Sequence, residues 1–201
     1  MTNTRRTYHK PTLPTPIVAL DVDGPLNAYA RPLKQLKLDA KEQGGYRPVS
    51  FRDRISYRPG STWHPYSRLD LAGWHGDALA WTSRESDVEL VWASLWEHNC
   101  NTVIGPALGL PRLRWVDFHG HPRRDLWKFP AMIDFAAGRP LCWLDDSFNS
   151  PRKIRARELS GWDRARRNLP TLLLHVDPST GIEDHHLDEV ESWVRTARLA
   201  W

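Results

Sequence analysis

The chain has 201 residues, 40% of them apolar and 26% charged, with a formal net charge of +4. That length supports one domain with a full core and is short for two, and no stretch approaches the roughly 18 apolar residues of a membrane span. The opening residues lack the apolar middle of a secretory signal, so a soluble, cytoplasmic protein is expected; the two cysteines, Cys100 and Cys142, sit in apolar segments and read as buried thiols, suggesting neither a disulfide framework nor a thiolate metal site.

Residues 1–15, rich in Pro, Thr and basic residues, read as a tail ahead of a single domain, 16–201. "PIVALDVDG" is an almost wholly apolar run ending in turn residues, the pattern of a strand buried on both faces. Residues 28–66 are polar and irregular, an insertion in which "YRPVSFRDRISYRPG" alternates enough to predict a projecting hairpin, a flap over 46–58. A helix is expected over 67–83. "VELVWAS" (88–94) predicts a second strand, "LWEHNCNTVIGPALGL" a helical stretch closing at Gly109 and Pro111, and "LRWVDF" (113–118) a third strand. "KFPAMIDFAAG" reads as a helix with Pro130 in its first turn and Gly138 past its end. "PLCWLDDS" (140–147) and "TLLLHV" (171–176) predict two further strands. The last element is a helix from about 184 to 197 with Leu187, Val190 and Val194 on one face. Strands separated by helices imply right-handed crossovers, hence an α/β fold of three layers, Rossmann-like, with a mainly parallel central sheet.

Ligands of such sheets bind at the carboxyl ends of the strands. This chain places Asp21 and Asp23 after the first strand, Ser94 after the second and the pair Asp145 and Asp146 after a later one, with Lys128 opening the helix that leads to that pair. Each has a plain reading alone: a turn, a helix cap or a surface lysine. Together, four carboxylates repel one another unless a cation joins them, and all-oxygen ligation favours Mg²⁺. "LAWTS" offers Thr82 as a rival hydroxyl, but the segment from Val88 is the better strand, which favours Ser94. His119, His121, His185 and His186 match no zinc spacing and read as loop or cap residues. Trp81, Trp92, Trp115, Trp143 and Trp193 fall in strand or helix patterns and read as core.

With "LDVDG", the hydroxyl of "ELVWAS", Lys128 and "CWLDDS" in this order, the chain resembles the haloacid dehalogenase (HAD) superfamily of aspartate-nucleophile phosphohydrolases over about 16–148. "LDVDGPLN", "VWASLWEHNCN" and "RPLCWLDD" resemble more narrowly the HAD domains associated with RNA-repair proteins, and "PTLLLHVDPSTGI" is similar to the closing strand and turn of actinobacterial and phage HAD-like proteins. The resemblance implies that Asp21 is the nucleophile, Asp23 the general acid and base, Ser94 a phosphoryl contact and Lys128 the neutralising cation. It further implies a Mg²⁺ site drawn from Asp21, Asp23 through its carbonyl, Asp145 and Asp146, with Asp146 as the direct ligand and Asp145 in support. Two residues depart from the family pattern: Pro25 stands where Thr or Val is common, and Asn149 near where a further metal-supporting acid is often found.

Family members choose substrates through cap insertions, and the gaps here leave room only for the hairpin flap, an open site suited to the end of a large substrate. The flap interleaves Tyr46, Phe51 and Tyr57 with Arg47, Arg52, Arg54 and Arg58, a mixture that suits single-stranded nucleic acid. Arg47, Arg52, Arg54 and Asn27 are the candidate substrate contacts. A basic run over 149–168, with Arg152, Lys153, Arg155, Arg157, Arg164, Arg166 and Arg167, adds positive charge. The expected activity is that of a polynucleotide phosphatase acting on phosphorylated RNA or DNA ends. The alternatives are a small-molecule or nucleotide phosphatase and a non-catalytic nucleic-acid-binding module. A carbon–halogen hydrolase would have no need of Asp23 or the pair at 145–146.

Overall fold

The computed structural model describes residues 14–28, 46–49, 56–58, 61–62, 69–119, 127–149, 162 and 164–199. Five parallel strands form the central sheet: β1 (Ile17–Leu20), β6 (Glu89–Trp92), β7 (Arg114–Trp115), β8 (Leu141–Asp145) and β9 (Thr171–His175), in the order β7-β6-β1-β8-β9. β1 is central, with Ile17 opposite both Glu89 and Leu141. From β1 the chain builds outward through β6 to β7, then returns to add β8 and β9 on the other side. The direction of growth reverses at β1, the place where loops diverge and open a crevice.

Side chains of a strand alternate between faces, and here both faces are buried. Val18 and Leu20 join one apolar cluster with Leu90, Trp92, Cys142 and Leu144, while Ile17 and Ala19 join the other with Val91, Leu141 and Trp143. The first face is covered by α1 (Trp74–Glu85), α2 (Gly105–Leu108) and α4 (Asp184–Leu199), the second by α3 (Lys128–Ala136). Each fully buried Ile, Val or Leu of β1 contributes about 1.5–3 kcal/mol, so this short strand anchors the sheet. The helices keep their predicted stripes: Val190 and Val194 are buried on α4, and Phe129, Met132 and Ala136 on α3. α3 stops where Ala137 and Gly138 turn left-handed, at φ 47° and 81°. Both cysteines are buried thiols. No described helix is long and apolar enough to cross a membrane.

Three expectations are corrected. The single helix over 67–83 is instead β5 (Leu69–Ala72) followed by α1, because Leu69 and Leu71 are both buried with strand periodicity and Gly73 separates the two elements. The projecting hairpin is also differently paired. β2 (Tyr46–Val49) lies antiparallel to β5, whereas β3 (Ser56–Arg58) pairs with β4 (Ser61–Thr62). Trp81 and Trp115 are surface residues, 48% and 36% exposed, one on the outer side of α1 and one on the edge strand. Within 95–110 the helical stretch contains a π-helical turn, Cys100–Ile104, before α2. The 113–118 strand shortens to the two residues of β7.

Candidate active site

Asp21 is the first residue past β1. Its main-chain N–H donates to Leu144 O at 3.0 Å, tying it to β8, and its Oδ1 accepts the N–H of Val22 at 2.7 Å. Asp145 ends β8 and is completely buried. Lys128, the first residue of α3, bridges them, with Nζ 2.5 Å from Asp21 Oδ2 and 2.7 Å from Asp145 Oδ2. The other Asp145 oxygen accepts Ser147 N–H at 2.9 Å and the Ser147 hydroxyl. Burial pushes Asp21 up to about 7, with Lys128 opposing and the Asp145 charge adding to the rise. Burial alone would raise Asp145, but Lys128 and Ser147 outweigh it and hold that carboxyl below its ordinary value. Burial alone would lower Lys128, and the two carboxylates outweigh it in turn, so the ammonium stays charged.

Asp146 follows on the next turn, Asp146–Asn149, and oxygen atoms of Asp21, Asp145 and Asp146 lie within 4.8 Å of one another. All three offer oxygen donors, the chemistry that suits a hard divalent cation. The approach of Asp146 to the β1 loop depends on Gly24, whose φ is +93°. A Cβ there would stand 2.6 Å from Asp146 Cβ, so any side chain would force the two strand ends apart.

Asp23 faces different neighbours. Its Oδ1 accepts Asn27 Nδ2 at 3.0 Å and its Oδ2 accepts the indole Nε1–H of Trp96 at 3.0 Å. The turn that carries it is closed by Gly24 N–H to Asn27 O and Asn27 N–H to Val22 O, at 2.9 and 2.8 Å. Ile182 N–H donates to Pro25 O at 2.8 Å, so the segment before α4 braces the same turn. Pro25 thus contributes a carbonyl where its missing N–H costs nothing. Ser94, two residues past β6, is buried; its Oγ accepts Trp96 N–H at 3.5 Å, and its side chain lies near enough to Asp21 to oppose slightly the rise of that carboxyl. Thr82 lies within α1, which leads into the amino end of β6 and does not follow a central strand. The structure therefore brings together Asp21, Ser94, Lys128, Asp145 and Asp146, and sets Asp23 beside them on its own donors.

Asn27, expected at the substrate, is buried with its amide on Asp23. Arg47 lies in β2 opposite Leu71 and is described by its backbone alone, while Arg52 and Arg54 lie outside the described residues. Most of the basic run lies outside them too. Within it, Arg166 is buried and donates to Arg139 O, Thr171 Oγ1 and Pro170 O, so it braces the starts of β8 and β9. His119 pairs with Glu97 at 3.0 Å, and His121 lies outside the described residues. His185 and His186 open α4, where His186 Nδ1 accepts Glu183 N–H at 3.0 Å. Sequence reasoning missed Trp96 entirely. The available signal was its place two residues after Ser94, at a strand end, since a buried indole N–H finds a partner.

No family model matches the chain, and no curated protein or solved structure is significantly similar to it.

Proposed function

We propose that the chain is a Mg²⁺-dependent phosphomonoesterase of HAD type that works through an aspartyl phosphate, with phosphorylated nucleic-acid ends as its substrates. The observation that carries this reading is the Lys128 ammonium held between Asp21 and Asp145 at the carboxyl ends of the central strands. A carboxylate attacks an anionic phosphate only where positive charge offsets the repulsion. Lys128 supplies one such charge and orients Asp21 through Oδ2. In the first step an Asp21 oxygen bonds to phosphorus, the bond to the leaving oxygen breaks, and Asp23 gives that oxygen its proton. In the second, Asp23 takes a proton from water, the water oxygen bonds to phosphorus, and the Asp21–phosphorus bond breaks to release phosphate.

Mg²⁺ would be held by Asp21, Asp146 and the Asp23 carbonyl, and when bound it supplies further positive charge at the phosphoryl oxygens. Asp145 suits a supporting role, because its oxygens already accept from Lys128 and Ser147. Ser94, buried beside Asp21 at the end of β6, is placed to donate to a phosphoryl oxygen. The nucleic-acid assignment rests on the aromatic and arginine residues interleaved over 46–58.

The test is phosphate release by the purified protein with and without Mg²⁺ on an aryl phosphate, a nucleotide panel and end-phosphorylated oligonucleotides. Release should require Mg²⁺ and vanish in Asp21→Asn while the melting curve stays cooperative. Preference for a nucleotide over the oligonucleotides would make the chain a small-molecule phosphatase. Silence on all substrates with oligonucleotide binding intact would make it a binding module.

A further inference from the structure

We propose that Trp96 is a positioning residue for Asp23: its indole N–H, together with the Asn27 amide, fixes the carboxyl that exchanges a proton with the leaving oxygen and with water. This rests on the phosphatase reading above. The two donors reach different oxygens of one carboxyl group, at 3.0 Å each. One comes from four residues along the same turn, the other from a loop 73 residues away on the neighbouring strand. Gripped at both oxygens, the carboxyl plane has its orientation set. Trp96 itself is fully buried in the core cluster beneath the strand ends, so its ring is a rigid mount.

Both donors are N–H groups of uncharged side chains, and an oxygen with two lone pairs can accept an N–H and still carry a proton. Trp96 also touches the nucleophile's surroundings through its main chain, since its N–H donates to Oγ of Ser94, a neighbour of Asp21. Replacing the side chain separates the two contacts, because the main-chain N–H remains.

The experiment compares wild type, Trp96→Phe and Asp23→Asn on a series of phosphate monoesters running from good aryl leaving groups to poor alkyl ones. General-acid help is worth about 10²–10⁴-fold and is needed most by poor leaving groups. Trp96→Phe should therefore steepen the dependence on leaving group, with a loss of about tenfold or more on alkyl esters and a smaller one on aryl esters, in the direction of Asp23→Asn. Asn27→Ser, which removes the other donor, should tilt the series the same way, and it carries the test should Trp96→Phe fail to melt cooperatively. If wild type is active and the variants lower all esters equally, or none, the inference falls while the phosphatase reading stands. If wild type hydrolyses no ester in the series, both fall.

Discussion

Two sets of titratable side chains bear on the turn after β1, and they solve burial in opposite ways. Asp21 and Asp145 share Lys128, which holds Asp145 ionised and opposes the rise that burial imposes on Asp21. His75, on α1, reaches the same turn indirectly: its Nε2 meets Ile182 O at 2.9 Å, and Ile182 N–H holds Pro25 O. Burial pushes His75 down to about 4, so it sits there neutral, with the nearby His186 also held down by burial. The first set retains buried charge on Lys128 and Asp145, the second is a support that avoids charge. A buried charge of that kind is retained more readily for chemistry than for stability, since well-packed apolar residues usually do as well.

The largest test of this contrast is Lys128→Met. Removing the ammonium leaves two buried carboxylates facing each other, and stability at pH 8 should fall by about 3–5 kcal/mol in urea melts, with the loss shrinking as acid protonates them. A loss below about 1 kcal/mol would mean that the pair contributes as little as an exposed one.

Next in size are the opposite responses to pH. Asp21 stands at about 7 when folded against 3.8 ordinarily, so between those values the folded chain binds the extra proton and stability falls as pH rises. His75 stands at about 4 against 6.5, so there the unfolded chain binds the extra proton and stability falls as pH drops. The two slopes oppose each other in the metal-free protein. Asp21→Asn should leave a chain that weakens more steeply toward pH 4, and His75→Phe one that holds up better there. Parallel curves for both variants would erase the contrast.

The smallest effect concerns cations. At tenfold above its dissociation constant Mg²⁺ should stabilise by about 1.4 kcal/mol, or about 3–6 °C in melting temperature for a chain of this size. Asp146→Ala should abolish that shift. His185→Ala should not, although Glu183, His185 and His186 also gather within 4.8 Å, because His186 Nδ1 already serves the Glu183 N–H.

The parallel sheet was legible because its strands are continuous apolar runs, and the acids were legible because strands of such sheets deliver their ligands at one end. β5 was not. "LDLA" is short, it runs into a helix, and it becomes a strand through pairing with β2 and the Asn27 bridge to Leu71, partners that local pattern does not reveal. Asn27 was read as a substrate contact and Arg166 as part of a basic run, whereas each is buried on specific acceptors: Asn27 on the Asp23 carboxylate, and Arg166 on two main-chain carbonyls and the Thr171 hydroxyl. Trp96 was invisible for the converse reason, since a tryptophan's bulk reads as packing and hides its one donor.

The brace from Ile182 to Pro25 also governs when the site comes into being. Asp21 is made well before the groups that hold it: its strand is flanked by β6 and β8, the Lys128 ammonium follows 107 residues later, and the last tie on its turn comes from Ile182. Nascent chains therefore carry Asp21 long before its surroundings are complete, and a product cut ahead of Ile182 would present the acids without the frame that aims them.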